Sequence, residues 1–212
     1  MKVVLAQINP TVGALKNNAQ KIIEIIREYT PKCDLIIFPE MALTGYPPQD
    51  LLLDKSFIQK TQEVLNGIAS SVNSTAVIVG SIRKENHNLY NTAAVIQSGS
   101  VIAYRDKTHL PTYDVFDEVR YFTPSEFVEP VEVSVNGKSV KLGLQICEDL
   151  WDEEYETKVS KSLCNQGAEL IINISASPFH INKIRERIEL ICDKANDLKC
   201  SFIYCNLVGA QD

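Results

Sequence analysis

Val131-Glu132-Val133-Ser134-Val135-Asn136-Gly137-Lys138-Ser139-Val140-Lys141-Leu142-Gly143-Leu144-Gln145-Ile146-Cys147 is the stretch on which the fold turns. Two strand-like runs, 131–135 and 139–146, flank Asn136-Gly137. Asn-Gly is the strongest short hairpin signal, because both residues accept the positive φ that a two-residue turn requires. The second run is apolar and stops on Cys147, after which come Glu148-Asp149-Leu150-Trp151. A cysteine in a core strand would more often have apolar neighbours on both sides. A thiol placed where a strand gives way to a loop stands where reactive groups are displayed. Cys147 therefore reads as a nucleophile in search of a base and an oxyanion partner.

Outward from this hairpin, strand-like and helix-like segments alternate. Residues 2–8 form an apolar run fit for a buried strand, and Leu15, Ala19, Ile22, Ile23 and Ile26 recur at helical spacing up to Tyr29, with Pro31 closing the helix. Residues 34–38 make a second strand ending at Pro39-Glu40, followed by the turn-rich Thr44-Gly45-Tyr46-Pro47-Pro48. Phe57, Val64, Leu65 and Ile68 mark another helix, 76–82 a strand, and 89–97 with 101–105 a hairpin about Ser98-Gly99-Ser100. A helix over 153–165, a strand over 170–174, an amphipathic helix through Ile184, Ile188, Ile191, Ala195 and Leu198, and a strand over 201–207 complete the pattern. Such alternation with antiparallel hairpins predicts a layered α/β domain with a mixed sheet.

Composition bounds the function. The 212 residues are 45% hydrophobic and 23% charged, enough for one sizeable core. A net charge of −6 argues against nucleic acid or an anionic membrane as the main partner. No apolar run is long enough to span a bilayer and residues 1–10 do not read as a signal peptide, so a cytoplasmic location is the default expectation. The six cysteines include no C-x-x-C pair and there are three histidines. Reduced thiols are expected, without a structural zinc site.

Four polar elements stand at strand ends: Glu40, Lys107, Cys147, and the pair Ser175 and Ser177. Ligands of α/β sheets gather beyond such ends. The set fits acyl transfer. A thiolate attacks an amide carbon, a carboxylate carries the proton from thiol to leaving ammonia, and an ammonium stabilises the oxyanion. A lysine also favours the thiolate of a nearby cysteine. On the residues alone the plainer alternatives stay open: Glu40 as a loop acid, Lys107 as a solvated lysine, Cys147 as a core thiol, and the serines as turn residues.

Phe38-Pro39-Glu40, Arg105-Asp106-Lys107 and Gln145-Ile146-Cys147-Glu148-Asp149 stand in the order and contexts of the nitrilase, or carbon–nitrogen hydrolase, superfamily, and the chain resembles it over essentially its whole length. The resemblance implies a four-layer αββα sandwich with a Glu-Lys-Cys triad. Leu43 to Leu52, Leu110 to Phe122, and Ser175-Ala176-Ser177-Pro178-Phe179-His180 further resemble one branch, the glutaminase domain of glutamine-dependent NAD synthetases. By that resemblance Glu40 is the general base, Lys107 the oxyanion partner, Cys147 the nucleophile, and Glu118 a second carboxylate holding Lys107. Tyr113, Ser177 and Lys183 would bind L-glutamine, and Tyr46 would line the same pocket.

The resemblance implies hydrolysis of glutamine to glutamate and ammonia through a cysteine thioester. The glutaminase step would need no cofactor. ATP and Mg2+ would serve a C-terminal synthetase domain that amidates nicotinate adenine dinucleotide. That domain's Ser-Gly-Gly-x-Asp-Ser loop does not occur in these residues. Residues 1–212 are thus expected to be a glutaminase domain incomplete at its C-terminal end, with the synthetase domain absent and homo-oligomers formed. Two departures stand out: Asn182-Lys183 where the family usually has Gly-Lys, and Val208-Gly209-Ala210-Gln211-Asp212 where it commonly has two glycines. The rival expectations are another small-amide amidase of the superfamily and a non-catalytic fragment serving in assembly.

Overall fold

The computed structural model describes residues 1–209; the last three of the closing pentapeptide lie outside the described residues. Five strands build the first sheet: β1 (Val3–Leu5), β2 (Leu35–Ile37), β3 (Ala76–Glu85), β4 (Asn88–Gln97) and β5 (Ser100–Asp106), paired in that order. The pairs β1–β2 and β2–β3 are parallel; β3–β4 and β4–β5 are antiparallel. The second sheet holds β6 (Val131–Val135), β7 (Lys138–Ile146), β8 (Leu170–Ser175) and β9 (Ser201–Asn206), with β6–β7 antiparallel and the rest parallel. Both turns read from the sequence form, with positive φ at Ser98, Gly99, Asn136 and Gly137.

Strand periodicity makes the layers. Leu35, Ile37, Ile78 and Val95 meet Leu142, Leu144, Ile146, Ile172 and Ile174 of the facing sheet. The alternate residues Ile36, Val77, Val79, Ala94 and Ile96 point the other way, onto Ile22 and Ile26 of α1 (Leu15–Tyr29) and Leu65 and Ile68 of α2 (Lys55–Ala69). Each fully buried isoleucine or leucine contributes about 1.5–3 kcal/mol. Asp54 caps α2, accepting the Ser56 N–H at 2.8 Å. On the second sheet's outer face, Val159 and Leu163 of α3 (Val159–Asn165) pack on Ala168 and Ile171, and α4 (Lys183–Leu198) lies against α3 and β9. The result is the expected αββα sandwich. Among the described residues no helix is long and apolar enough to cross a membrane.

Four details differ from the sequence expectation. Strand β1 covers three of the residues 2–8. Strand β3 runs on to Glu85 and pairs with β4 through Asn86-His87, with Asn86 at φ 54, a hairpin that the polar run 83–88 conceals. Helix α3 begins at Val159, because the Lys158 ammonium donates to the carbonyls of Asp152 (2.7 Å) and Glu153 (2.5 Å) and folds 152–158 into a loop. Helix α4 is amphipathic, but Ile184 and Ile188 are exposed; the face toward the sheet carries Arg187, Leu190, Ile191, Lys194 and Leu198.

One glycine fixes the path of the chain through Glu40. A Cβ on Gly80 would lie 2.1 Å from the Pro39 carbonyl oxygen and 2.7 Å from the Glu40 Cα. These are backbone atoms that cannot step aside. Gly80→Ala is expected to cost about 3 kcal/mol of stability by denaturant unfolding. A loss under about 1 kcal/mol would show that the 39–41 segment yields freely.

Candidate active site

Three strand ends deliver the site. Glu40 follows β2, Lys107 is the first residue after β5, and Cys147 the first after β7. Cys147 has φ 45, in the left-handed region that a non-glycine residue adopts at a cost, and it opens a 3-10 turn over Cys147–Leu150. The Asn173 side-chain amide donates to the Cys147 carbonyl at 3.3 Å and supports this elbow. Met41, just after Glu40, has φ 47. Strained backbone thus flanks both residues.

Lys107, 1% exposed, donates from its ammonium to Glu40 Oε1 at 2.9 Å and to Glu118 Oε1 at 2.8 Å. An ammonium has three N–H donors, so one is left over. Tyr46 donates to Glu118 Oε1 at 3.0 Å, and the Ala176 N–H to Glu40 Oε2 at 2.8 Å. Burial pulls the Lys107 ammonium down, but Glu118, Glu40 and Cys147 together outweigh it and hold it well above the ordinary lysine range. Burial, with Glu40 adding to it, raises the Glu118 carboxyl despite the opposing pull of Lys107.

The thiol departs from expectation. Lys107 and a hydrogen bond with Ser175 favour its thiolate, yet burial, and then Glu40, push the Cys147 thiol far up. Burial is the larger cause, and the pull of Lys107 is weakened because its one ammonium is shared between Glu40 and Glu118. A neutral thiol then needs a base that takes its proton as it attacks. Alkylation of Cys147 by iodoacetamide, followed by peptide mass spectrometry, is expected to keep accelerating past about pH 8.5, the ordinary cysteine midpoint. A rate plateau reached below about pH 7 would instead reveal a preformed thiolate.

Beside the elbow lies a cavity of about 510 Å³ lined by Tyr113, Glu148, Trp151, Glu153, Glu154 and Tyr155. Tyr113 and Tyr155 donate their hydroxyls to Glu148, at 2.7 and 3.1 Å. Burial, and then Glu148, push the Tyr155 phenol up to about 12. No cation lies within salt-bridge distance of Glu148 among the described residues, although it is buried. Lys183 does not line this cavity but lies over the ring of Trp151, which does, 4.0 Å from its centroid, and is also 3.5 Å from Glu186. The preceding Asn182 has φ 72, a conformation that glycine reaches freely and asparagine tolerates, so Asn182-Lys183 is a permissible replacement for Gly-Lys. The Ser177 hydroxyl accepts from Arg187 Nη2 at 2.8 Å, and Tyr204 donates to the Ser175 hydroxyl at 2.9 Å.

Sequence reasoning assigned no role to Glu148, Tyr155, Arg187 or Asp149. Asp149 is fully buried and ties two of the strand ends together. Its Oδ1 accepts from the Thr108 and His109 N–H groups at 3.0 and 2.8 Å, its Oδ2 from the Ile146 N–H at 3.0 Å. The buried Arg105 guanidinium lies 3.7 Å from the same carboxylate. Thus the segment after Lys107 and the residue before Cys147 share one anchor. The signal was present as a carboxylate two residues past the cysteine, but its partners Thr108 and His109 lie 41 and 40 residues away in sequence.

Comparisons with known proteins bear on the family and the fold. The carbon-nitrogen hydrolase family model matches residues 2–211. The chain is 41% identical over 213 residues to the glutamine-dependent NAD(+) synthetase of Aquifex aeolicus, covering 100% of this chain and 36% of that protein. The structure of glutamine-dependent NAD+ synthetase from Acinetobacter baumannii in complex with adenosine diphosphate superposes with a TM-score of 0.90 at 33% identity, over 100% of this chain and 39% of that one. An amidase from Nesterenkonia sp. shares the fold, with a TM-score of 0.81 at 21% identity over 99% of this chain and 77% of that one. The chain spans little more than a third of the curated relative from Aquifex aeolicus. With its family model matched from end to end of the sandwich, the chain belongs to the carbon-nitrogen hydrolase family.

Proposed function

We propose that this domain is a glutamine amidohydrolase working through a thioester on Cys147. The observation that carries the reading is the buried Lys107 ammonium, held by Glu40 and Glu118 beside a cysteine on a strained elbow. Glu40 accepts the thiol proton while sulfur attacks the side-chain amide carbon. The oxygen of the tetrahedral intermediate takes the third Lys107 N–H, with the Glu148 N–H as a second donor. Glu40 returns the proton to nitrogen, ammonia leaves, and the γ-glutamyl thioester remains. Water, deprotonated by the same carboxylate, then attacks the thioester, releasing glutamate and restoring the thiol.

An amino-acid substrate suits the cavity. Glu148 is a buried carboxylate held by two phenols and, among the described residues, without a cation, which fits an α-ammonium group. Tyr113 lies at the same carboxylate; Lys183 and Ser177 are the candidates for the α-carboxylate. Tyr46 acts behind Lys107, through Glu118. By similarity to the Aquifex aeolicus protein, a glutamine-dependent NAD(+) synthetase, the ammonia would feed a synthetase domain of the same polypeptide, and ATP and Mg2+ acting there on nicotinate adenine dinucleotide are part of the same proposal. A cytoplasmic setting and homo-oligomers belong to the same reading. The test is a substrate panel with the full-length gene product, with ammonia measured enzymatically. L-Glutamine should exceed simple aliphatic amides by at least about a hundredfold in kcat/KM, a discrimination of about 2.7 kcal/mol. An aliphatic amide outperforming glutamine would favour the general amidase.

A further inference from the structure

We propose that Asn91 is the positioning residue shared by base and oxyanion partner: its side chain aims Glu40 and its backbone holds Lys107. The inference rests on the amidohydrolase reading above. Asn91 sits in β4, 1% exposed, in the run Tyr90-Asn91-Thr92-Ala93. Its Nδ2 donates to Glu40 Oε1 at 2.7 Å, and its carbonyl accepts the Lys107 N–H at 2.8 Å. One residue therefore touches both members of the ion pair, from a strand that carries neither.

The geometry assigns the two oxygens of Glu40 different tasks. Oε1 takes both Asn91 and the Lys107 ammonium, whereas Oε2 has the Ala176 N–H. A carboxylate accepts two or so hydrogen bonds per oxygen, so Oε1 is filled and Oε2 keeps room for a proton in transit. Stability does not explain an asparagine here. Its Oδ1 is buried without a partner among the described residues, which costs free energy that an apolar residue would not. What the asparagine supplies is a donor without charge. A cation there would compete with Lys107 for Glu40, and a carboxylate would compete with Glu40 for the proton.

The groups facing Glu40 come from every element around it: Lys107 from the end of β5, Cys147 from the elbow, Glu118 and Tyr46 from loops, and the Ala176 N–H from the end of β8. Asn91→Asp, close in volume, adds a further carboxylate to this set and removes the donor. The site becomes more negative in that variant. The acid limb of kcat/KM then moves to higher pH by about one unit or more, so that activity below the limb falls about tenfold or more. Asn91→Leu fills the same space, removes the unpartnered carbonyl, and keeps the fold. It should lower kcat about tenfold or more, with KM unchanged within about twofold.

The experiment is the pH–rate profile of ammonia release from L-glutamine by the full-length gene product and both variants, with thermal melting and diazoketone labelling of Cys147 alongside. A displaced acid limb in Asn91→Asp with a kcat loss in Asn91→Leu supports the assignment. Variants that lose stability but keep the wild-type limb and kcat in the folded protein would overturn it and leave Asn91 a packing residue. A wild type that neither releases ammonia nor takes the label overturns the amidohydrolase reading itself, an outcome distinct from the previous one.

Discussion

Cys147→Ala is expected to remove glutamine hydrolysis by about 10⁴-fold or more while leaving the fold in place. No other thiol can substitute. All six cysteines are free, but Cys205, also buried, points its Sγ at the Ile37 carbonyl, Cys33 packs against the core under α1 and α2, Cys164 and Cys200 against the cluster under α3, and Cys192 is exposed on α4. The cost in stability should stay near about 1 kcal/mol, since one buried sulfur is lost and the Asn173 bond to the main chain of residue 147 persists. Ammonia release and denaturant melts on the same preparation separate the two effects. A residual rate above about one per cent would mean that the thiol is not the nucleophile.

Lys107→Met carries the second large effect, and here stability and catalysis fall together. The ammonium is buried between Glu40 and Glu118, and a methionine of similar length leaves both carboxylates unneutralised. Breaking such a buried pair costs about 3–5 kcal/mol. The sign with pH follows from linkage. The Glu118 carboxyl, already raised by burial and by Glu40, loses the opposing pull of Lys107, so the folded variant binds more protons than the unfolded chain. Its stability is therefore greatest at low pH and lost as pH rises. The gap to wild type should widen between about pH 5 and about pH 8, and Glu118→Gln in the same chain should recover part of it. Loss of the oxyanion donor should lower kcat by about 10²–10³-fold or more. A variant as stable as wild type at the higher pH would show that the ammonium does not neutralise this cluster.

The main architecture was legible because its signals are local. Apolar runs of strand length, helical spacing in 15–26, and the turns Asn136-Gly137 and Ser98-Gly99 depend on neighbouring residues alone. The three strand-end residues were equally visible, since each stands next to the apolar run that positions it. What the sequence concealed depends on distant partners. Residues 153–158 look helical in sequence because nothing local shows Tyr155 stacking on His109 with ring centroids 3.9 Å apart, nor Lys158 turning back on Asp152. Asn91 and Asp149 looked like isolated polar residues, and their meaning lies in contacts with 40, 107, 108 and 146. The thiol's proton affinity was the least readable. The pull of Lys107 is foreseeable from a motif, but its sharing between Glu40 and Glu118 is a fact of three dimensions.

The central claim is that Cys147 attacks the side-chain amide of glutamine with Glu40 and Lys107 in attendance. Its most direct measurement is treatment of the full-length gene product with a diazoketone analogue of glutamine, followed by peptide mass spectrometry. A single adduct on Cys147 is expected, suppressed by excess L-glutamine. An adduct on Cys33, Cys164, Cys192, Cys200 or Cys205 in its place, or no adduct at all, would contradict it.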